Sequence, residues 1–341
     1  MWSSGFKWMF LIIGTTIGAG YASGRELWQF FGHESGLAIV MFACFFSISC
    51  VVIMKISYEV QSKDYLPVLR VIVGERLTKL YDIMIFVYLF TTTIVMLAGS
   101  GATGQAFYFP YWWGVGFISV LLIALFVRGI NGLLMINQFI LPVLLLGLIA
   151  ILLVFTYDQK LALFSHWHEQ RNWKAAFPFT ALNVLPLIAV IGAIGNKVQS
   201  RKEILIAGIG SGLILGVISY IYNNSLIQIA EEILVYEIPL FAILKNYSFG
   251  VLVFMSIMLW FAIFTTAASG MMGLITRIQT YWKSPLWLIA LVGVMIMIPF
   301  TTFGFSTLIS YLYPIYGVLN LYVLMRLILY PIWNTKNRKA H

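Results

Sequence analysis

Four glycines stand close together in residues 13–25, which read Ile-Gly-Thr-Thr-Ile-Gly-Ala-Gly-Tyr-Ala-Ser-Gly-Arg. This stretch interrupts an apolar segment that extends over residues 8–31. Each glycine costs a helix about 1 kcal/mol relative to alanine. Where such a helix opens, its free N–H groups suit a carboxylate and its free carbonyl groups suit a cation. We therefore expect a broken helix whose backbone can hold a small charged solute.

Close packing between helices is the alternative interpretation of the same glycines. Gly14 and Gly18 form a small-xxx-small pair, a pattern that lets two membrane helices approach each other. The two further glycines and the hydroxyl residues Thr15, Thr16 and Ser23 exceed what packing requires. The pattern therefore favours a break, which hydrocarbon tolerates only where protein or a watery cavity satisfies the open backbone.

The composition predicts an integral membrane protein that lies in a lipid bilayer. Of the 341 residues, 61% are hydrophobic and 10% are charged, and the mean hydropathy is +0.93. Several apolar runs exceed the roughly 20 residues that cross a bilayer as a helix. The formal net charge of +9 comes from lysine and arginine residues placed between these runs. It therefore indicates topology rather than nucleic-acid binding.

The apolar runs predict an all-α membrane protein with about ten transmembrane helices. The ten spans cover about residues 5–31, 36–60, 80–105, 111–127, 130–157, 176–196, 203–230, 248–281, 285–301 and 305–330. The chain divides accordingly into a first five-helix unit at 1–157, an extracellular loop at 158–175, a second five-helix unit at 176–330 and a cytoplasmic basic tail at 331–341.

Basic residues predict the orientation of the spans. All but five of the 21 lysine and arginine residues fall on the side that holds the N-terminus. Because cytoplasmic loops are enriched in these residues, both termini are expected to be cytoplasmic. The five on the opposite side are Arg25, Lys160, Arg171, Lys174 and Lys245.

The two halves of the chain share a loop pattern. In each half a long connection joins the second span to the third, at residues 61–79 and 231–247, and a short one joins the fourth to the fifth. Because each half crosses the membrane an odd number of times, the second half would enter it with the opposite polarity. This pattern predicts a 5+5 inverted repeat, an architecture of many secondary transporters.

The repeat predicts that span six is broken as span one is. Span six contains Asn183 and Pro186, and Pro186 frees the carbonyl of Leu182 by removing a backbone donor. Asn183 can bond the freed group or a ligand. A simple proline kink, with Asn183 bonded to a neighbour, stays open as the alternative.

The distribution of reactive side chains argues against an enzyme. All four histidines fall in loops or in the tail, so a serine or cysteine within a span has no histidine base there. Paired acidic residues are also missing from the middle of the spans. His166 and His168 are better explained as part of a solvated loop than as a metal site, because a third ligand is not evident. The sequence thus predicts no catalytic residues and no resident cofactor.

Arg25 and Glu26 are the charged residues nearest to the glycine stretch. They follow it toward the outer mouth of span one, where interface anchoring is the expected role and gating of the mouth is the alternative. With no charge expected at mid-depth, a solute would be held by backbone dipoles and neutral side chains. A zwitterion or a carboxylate suits such groups, whereas a polyamine would require acidic residues.

The segment Ile17-Gly18-Ala19-Gly20 resembles the Gly-small-Gly segment in the first span of amino acid–polyamine–organocation transporters, which have the LeuT-type fold. The longer string at residues 14–31 resembles the YkvI-like bacterial membrane proteins of that superfamily. The resemblance implies a bacterial cytoplasmic-membrane protein with helices one and six discontinuous, whose amides around Gly18 bind a solute carboxylate. The candidate substrate-binding residues are Thr16, Gly18, Ala19, Gly20, Tyr21 and Asn183.

The same resemblance implies a sodium site between spans one and eight. In sodium-coupled relatives the span-eight ligands are a carbonyl and then hydroxyls three and four residues on, a spacing that Ala262, Thr265 and Thr266 share. The carbonyls of Gly14 and Ile17 would complete the site. Residues at i, i+3 and i+4 lie on one helix face, and a hard cation prefers oxygen ligands. The alternative is that both threonines bond carbonyls of their own helix.

These features favour a secondary transporter that moves a small zwitterionic or carboxylate solute, amino-acid-like in character, by alternating access with sodium coupling. The main alternative is a membrane sensor or receptor that keeps the transporter fold without net transport. A channel is less favoured, because no ring of polar residues lines any one span. The expected partners are the solute and the bilayer, and the solute's identity and the oligomeric state stay open.

Overall fold

The computed structural model of the chain describes residues 2–128, 131–161, 170–279 and 281–339. Every regular element in these ranges is helical. The helices of the first half are α1 Trp2–Thr16, α2 Ala19–Ala22, α3 Arg25–Phe30, α4 Gly36–Glu59, α5 Leu66–Val73, α6 Glu75–Gln105, α7 Tyr111–Arg128 and α8 Asn131–Asp158. Those of the second half are α9 Ala176–Gly192, α10 Arg201–Gln228, α11 Ala230–Ile233, α12 Pro239–Leu244, α13 Phe249–Ile278, α14 Leu286–Met297, α15 Phe305–Leu319 and α16 Leu321–Lys339.

The helices account for all ten predicted spans. Helices α4, α6, α9, α10, α13 and α14, two of them with an adjoining 3-10 turn, are long and apolar enough to cross a membrane. Helix α15 and residues 321–331 of α16 form a bent pair, with an angle of 41° between them. Helix α7 and residues 142–158 of α8 are shorter apolar helices, and span one is divided among α1, α2 and α3. The predicted all-α membrane architecture is confirmed, while the inverted repeat and the division into units stay predictions.

Span one is interrupted, as the glycine stretch predicts. Helix α1 ends at Thr16, and Ile17 and Gly18 lie outside any helix before α2 begins. A second interruption separates α2 from α3 at Ser23 and Gly24. Gly24 has a φ of +80°, a left-handed backbone conformation that suits glycine and strains other residues. The glycines therefore open the helix at two places.

Span six is not broken where the sequence analysis placed a break. Helix α9 is continuous across Pro186 and ends only at Gly192. A proline removes a single backbone hydrogen bond, and most of α9 is buried, so that packing outweighs the loss. Helix α9 ends in a close contact: a Cβ added to Gly192 would lie 2.6 Å from the Cα of Tyr65. The prediction of a discontinuous helix six at Asn183–Pro186 is therefore wrong.

Span seven holds span one against span two. A Cβ added to Gly212 of α10 would lie 2.8 Å from the carbonyl oxygen of Ala43 in α4, and one added to Gly216 would lie 2.6 Å from the Ala43 Cβ. Small residues thus let the two helices approach closely. Helix α1 packs on the same helix α10. The broken span therefore lies on a rigid pair of helices.

An ion pair joins spans three and eight at the end predicted to be cytoplasmic. Arg277, near the end of α13, pairs with Asp82 of α6. The Tyr65 hydroxyl donates a hydrogen bond to the same carboxylate, with an oxygen–oxygen distance of 2.6 Å. Because Tyr65 also contacts the end of α9, this cluster ties three spans together on one side of the membrane.

Candidate functional site

The break between α1 and α2 leaves backbone groups without partners. Within the described part of the chain, the N–H groups of Ala19, Gly20 and Tyr21 donate to no protein acceptor. The carbonyl oxygens of Gly14 and Ile17 likewise accept no hydrogen bond there. Unpaired donors and acceptors therefore lie a few residues apart inside a membrane-spanning segment. Such groups are costly unless water or a ligand satisfies them.

Gly18 differs from its neighbours in the predicted binding segment. Its N–H donates to the carbonyl oxygen of Thr16, with a nitrogen–oxygen distance of 3.0 Å. The Thr16 hydroxyl in turn donates to the carbonyl oxygen of Ile12 at 3.1 Å, within its own helix. The unpaired amides thus begin one residue later than the sequence predicts, at Ala19 rather than at Gly18.

Span seven and helix α12 fix the segment that follows the break. The Tyr222 hydroxyl donates to the carbonyl oxygen of Ala22 at 3.0 Å, and the N–H of Leu240 donates to that of Ser23 at 2.9 Å. Tyr222 also packs closely against Gly24, where an added Cβ would lie 2.7 Å from its hydroxyl oxygen. These contacts explain how a segment with few internal hydrogen bonds holds one conformation.

Tyr21 has a positioning role through its side chain. The ring is fully buried, and its hydroxyl lies 2.8 Å from the Ser219 hydroxyl and donates to the carbonyl oxygen of Leu215 at 3.2 Å. Both partners belong to α10. The predicted substrate contact of Tyr21 is therefore limited to its free backbone amide.

Glu26 lies beside the break and not at an interface. Its side chain is only 5% exposed, and its Oε2 atom would lie 3.0 Å from a Cβ added to Gly20. Tyr313 of span ten contacts the same glycine, with its Cε2 atom 3.2 Å from that Cβ position. The expected interface anchoring by Glu26 is wrong, because its side chain is buried against Gly20 and Asn183. The expectation that only backbone dipoles and neutral side chains surround the break fails with it.

Asn183 joins span six to this acidic residue. Its Nδ2 atom lies 3.4 Å from Glu26 Oε1 and 2.9 Å from the carbonyl oxygen of Phe179 in its own helix. Asn183 is 5% exposed. The structure thus brings Asn183 to the site, as predicted, although no break in α9 accompanies it.

The threonines predicted to bind sodium differ from each other. The Thr265 hydroxyl donates to the carbonyl oxygen of Ala262 at 3.2 Å, as the alternative interpretation expected. The Thr266 hydroxyl has no partner among the described residues, and it would lie 3.5 Å from a Cβ added to Gly18. Spans one and eight therefore meet at the break. The free carbonyls of Gly14 and Ile17 and the Thr266 hydroxyl are oxygen donors of the kind that sodium prefers.

Arg25 faces the opposite direction from Glu26. Its guanidinium pairs with the Ser306 hydroxyl at the start of α15 and approaches the carbonyl oxygen of Ile233 at 3.5 Å. The Glu237 carboxylate accepts a hydrogen bond from the N–H of Phe305, next to Ser306, at 3.0 Å. Arg25 thus links spans one and ten with the loop that precedes α12.

The sequence analysis missed Tyr313 and assigned Glu26 to another role. Tyr313 is one of many aromatic residues in apolar spans and carries no distinguishing signal. Glu26 had such a signal, because it is the only acidic residue in the first span at 5–31. His166 and His168, considered above for a metal site, lie outside the described residues.

Sequence comparison finds relatives over nearly the whole chain. The uncharacterised protein YyaD of Bacillus subtilis is 46% identical over 332 residues, which cover 97% of this chain and 98% of YyaD. The uncharacterised membrane protein YkvI of the same organism is 25% identical over 326 residues, 92% of each chain. No protein-family model matches the chain.

Structural comparison finds neighbours with the same fold at low sequence identity. The complex of MhsT with L-phenylalanine superposes with a TM-score of 0.67 at 14% identity, over 96% of this chain and 88% of MhsT. Inward-facing Mhp1 gives a TM-score of 0.63 at 14% identity, over 94% and 75% of the two chains. A manganese transporter of Eremococcus coleocola gives a TM-score of 0.60 at 16% identity, over 96% and 78%.

These comparisons confirm the resemblance that the glycine-rich string suggested. The structural neighbours include transporters, among them the manganese transporter and Mhp1. The relatives and the apolar spans together make it an integral membrane protein. The chain belongs to the family of membrane proteins that includes YyaD and YkvI, and it has the LeuT-type fold.

Proposed function

We propose that this protein is a secondary transporter that binds a small amino-acid-like solute at the break in span one and moves it by alternating access. The observation that carries the proposal is the group of unpaired amides at Ala19, Gly20 and Tyr21 inside a LeuT-type fold. Free N–H groups at a helix start favour a carboxylate. The complex of MhsT with L-phenylalanine gives an amino acid as the ligand of one structural neighbour.

Sodium is the proposed coupling ion. The donors that support it are the free carbonyls of Gly14 and Ile17 and the unpaired hydroxyl of Thr266. Oxygen atoms of this kind bind hard cations. Bound sodium would supply positive charge next to the solute carboxylate, while the protein residues hold the two halves of span one in place. Thr265 contributes less to this set, because its hydroxyl is already bonded to Ala262.

Arg25 is the proposed outer gate, and Glu26 is not part of it. The contacts of Arg25 with Ser306 and with the Ile233 carbonyl bridge spans one and ten. Opening of a route to the break from that side would have to separate these groups. We place the protein in the bacterial cytoplasmic membrane with both termini cytoplasmic, on the distribution of its basic residues.

Uptake into proteoliposomes tests the proposal. Purified protein is reconstituted, and accumulation of radiolabelled amino acids is measured with an inward sodium gradient and, as the control, with an equal potassium gradient. We expect at least one amino acid to accumulate above its external concentration when sodium is present. Equal accumulation in the two gradients would contradict the sodium coupling but not the transport.

A membrane sensor gives a different result in the same preparation. A sensor would bind an amino acid, as detected by a rise in the unfolding temperature, without accumulating it in vesicles. Binding without accumulation in either gradient would therefore contradict transport. It would not contradict a binding site at the break in span one.

A further inference from the structure

We propose that Glu26 is the binding partner for a protonated amine of the transported solute, which makes that solute a monoamine of the amino-acid type. The inference rests on the proposed function and adds the group that selects the solute. Its basis is the position of the Glu26 carboxylate: almost completely buried, next to Gly20 and next to Asn183.

The Glu26 carboxylate has no cationic partner in the part of the chain that the structure describes. Of the described residues, only Asn183 donates to it, over 3.4 Å, and the same Nδ2 atom lies closer to the Phe179 carbonyl at 2.9 Å. Its neighbour Arg25 points away, toward Ser306 and the Ile233 carbonyl. A buried carboxylate with one long neutral hydrogen bond is costly unless a positive charge joins it or a proton neutralises it. The site therefore has room for a cationic partner of Glu26.

The surroundings of the carboxylate favour an organic ammonium group as that cation. Tyr313 lies beside the same Gly20, with its Cε2 atom 3.2 Å and its hydroxyl oxygen 3.4 Å from the position of an added Cβ. Aromatic rings attract ammonium groups through their π faces. A carboxylate and an aromatic side chain that meet at one glycine are a combination suited to an amine.

The geometry also matches the two ends of an amino acid. The amide of Gly20 is unpaired, and Glu26 Oε2 lies 3.0 Å from the position that a Cβ of the same residue would take. The carboxylate and ammonium groups of an α-amino acid are joined through a single carbon atom. One solute can therefore place its carboxylate on the amides of α2 and its ammonium group on Glu26. A single carboxylate balances one protonated nitrogen, which disfavours polyamines.

Matched ligands test the inference on the purified full-length protein. Binding of L-phenylalanine, 3-phenylpropionate and phenethylamine is measured by thermal shift and calorimetry, and the same is done for L-leucine, 4-methylpentanoate and isoamylamine. We expect wild-type protein to bind an amino acid about ten- to a hundredfold more tightly than its counterpart without the amine. In Glu26→Gln that preference should disappear.

Two further variants keep the test decisive. Glu59→Gln changes an exposed glutamate at the end of α4 and should keep the wild-type preference. Glu26→Asp keeps the charge with a shorter side chain, so it should retain part of the preference even if Glu26→Gln folds poorly. Loss of the preference in Glu26→Asp to the level of Glu26→Gln would contradict a role that depends on charge.

The remaining outcomes separate this inference from the proposed function. Equal binding of an amino acid and its counterpart without the amine would overturn the inference and leave the carboxylate site of α2 intact. Glu26→Gln could also keep the preference for the amine while its uptake no longer depends on pH. That result would overturn the inference, because Glu26 would then carry a proton instead of binding the amine. Failure of every ligand to bind wild-type protein would overturn both proposals.

Discussion

Span one opens at two places within residues 17–24, whereas span six is one helix across Pro186. Both spans carry residues that disfavour helix, but these residues act differently. A proline removes one hydrogen bond and crowds the preceding turn at one position, a cost of about 3 kcal/mol that burial of the surrounding helix offsets. A cluster of glycines lowers helix preference over several consecutive positions. It also removes side chains, which lets other groups occupy the space.

The space next to the glycines of span one is filled from other spans. Tyr222 packs on Gly24, and both Glu26 and Tyr313 pack on Gly20. Span six has no such gap before Gly192, where Tyr65 approaches. In span one, therefore, the glycines that disfavour helix also admit side chains of other spans at the places where the helix opens.

Substitution of Gly24 should have the largest effect. Gly24→Val places a β-branched side chain at a φ of +80°, with its Cβ 2.7 Å from the Tyr222 hydroxyl oxygen. Backbone strain and overpacking each cost about 1–3 kcal/mol, so we expect a marked fall in the unfolding temperature. Gly116→Ala, in open space on α7, is the control and should leave stability unchanged or slightly raised. Equal unfolding temperatures for Gly24→Val and wild type would contradict the left-handed turn.

Substitution of Gly20 should affect binding more than stability. In Gly20→Ala the new Cβ would lie 3.0 Å from Glu26 Oε2 and 3.2 Å from Tyr313 Cε2, so it should displace the groups that we assign to the solute. We expect amino-acid affinity to fall by about tenfold or more, since displaced charged contacts are worth over 1 kcal/mol.

Gly18→Ala is the matched comparison for Gly20→Ala. Its Cβ would meet Thr266 at an ordinary contact distance of 3.5 Å, so affinity should change by only a few-fold. A side chain larger than alanine at Gly18 should abolish binding. If amino-acid affinity falls more in Gly18→Ala than in Gly20→Ala, the centre of the site lies closer to α1 than we propose.

Substitution of the two threonines of span eight should change the sodium dependence of uptake to different degrees. Thr266→Val removes an unpaired hydroxyl next to Gly18, whereas Thr265→Val removes one that is bonded to Ala262. We expect Thr266→Val to raise the sodium concentration for half-maximal uptake by several-fold and Thr265→Val to raise it less. If the double variant keeps wild-type sodium dependence, the sodium assignment is wrong.

Pro186→Ala should have the smallest effect. Helix α9 is already continuous, so the added N–H completes a helical hydrogen bond without changing the course of the chain. We expect equal or higher thermal stability and uptake within about twofold of wild type. A loss of uptake comparable to that of Gly20→Ala would show that span six needs a discontinuity in transport.

The sequence predicted the all-α membrane architecture and the break in span one. Apolar runs and glycine clusters are local features, which is why these predictions held. The position of Glu26 was not predictable in the same way. It depends on the left-handed turn at Gly24, which joins α2 to α3 and against which Tyr222 of α10 packs.

The error in span six has the same origin. An analogy between the two halves suggested a break at Pro186, while the burial that keeps α9 continuous is a tertiary property. Asn183 was predicted to reach the site and does so, but its partner Glu26 was assigned to the membrane interface. Local patterns thus identified the residues, and the packing of distant spans decided their partners.

Hydrogen–deuterium exchange tests the central claim most directly. The measurement compares exchange in peptides that cover residues 17–23 and 180–188, with and without the amino acid that gives the largest thermal shift. We predict fast exchange at Ala19, Gly20 and Tyr21 in the free protein and strong protection when the amino acid binds, with little change in span six. Protection confined to another region, with residues 17–23 unchanged at saturating solute, would contradict a site at the break in span one.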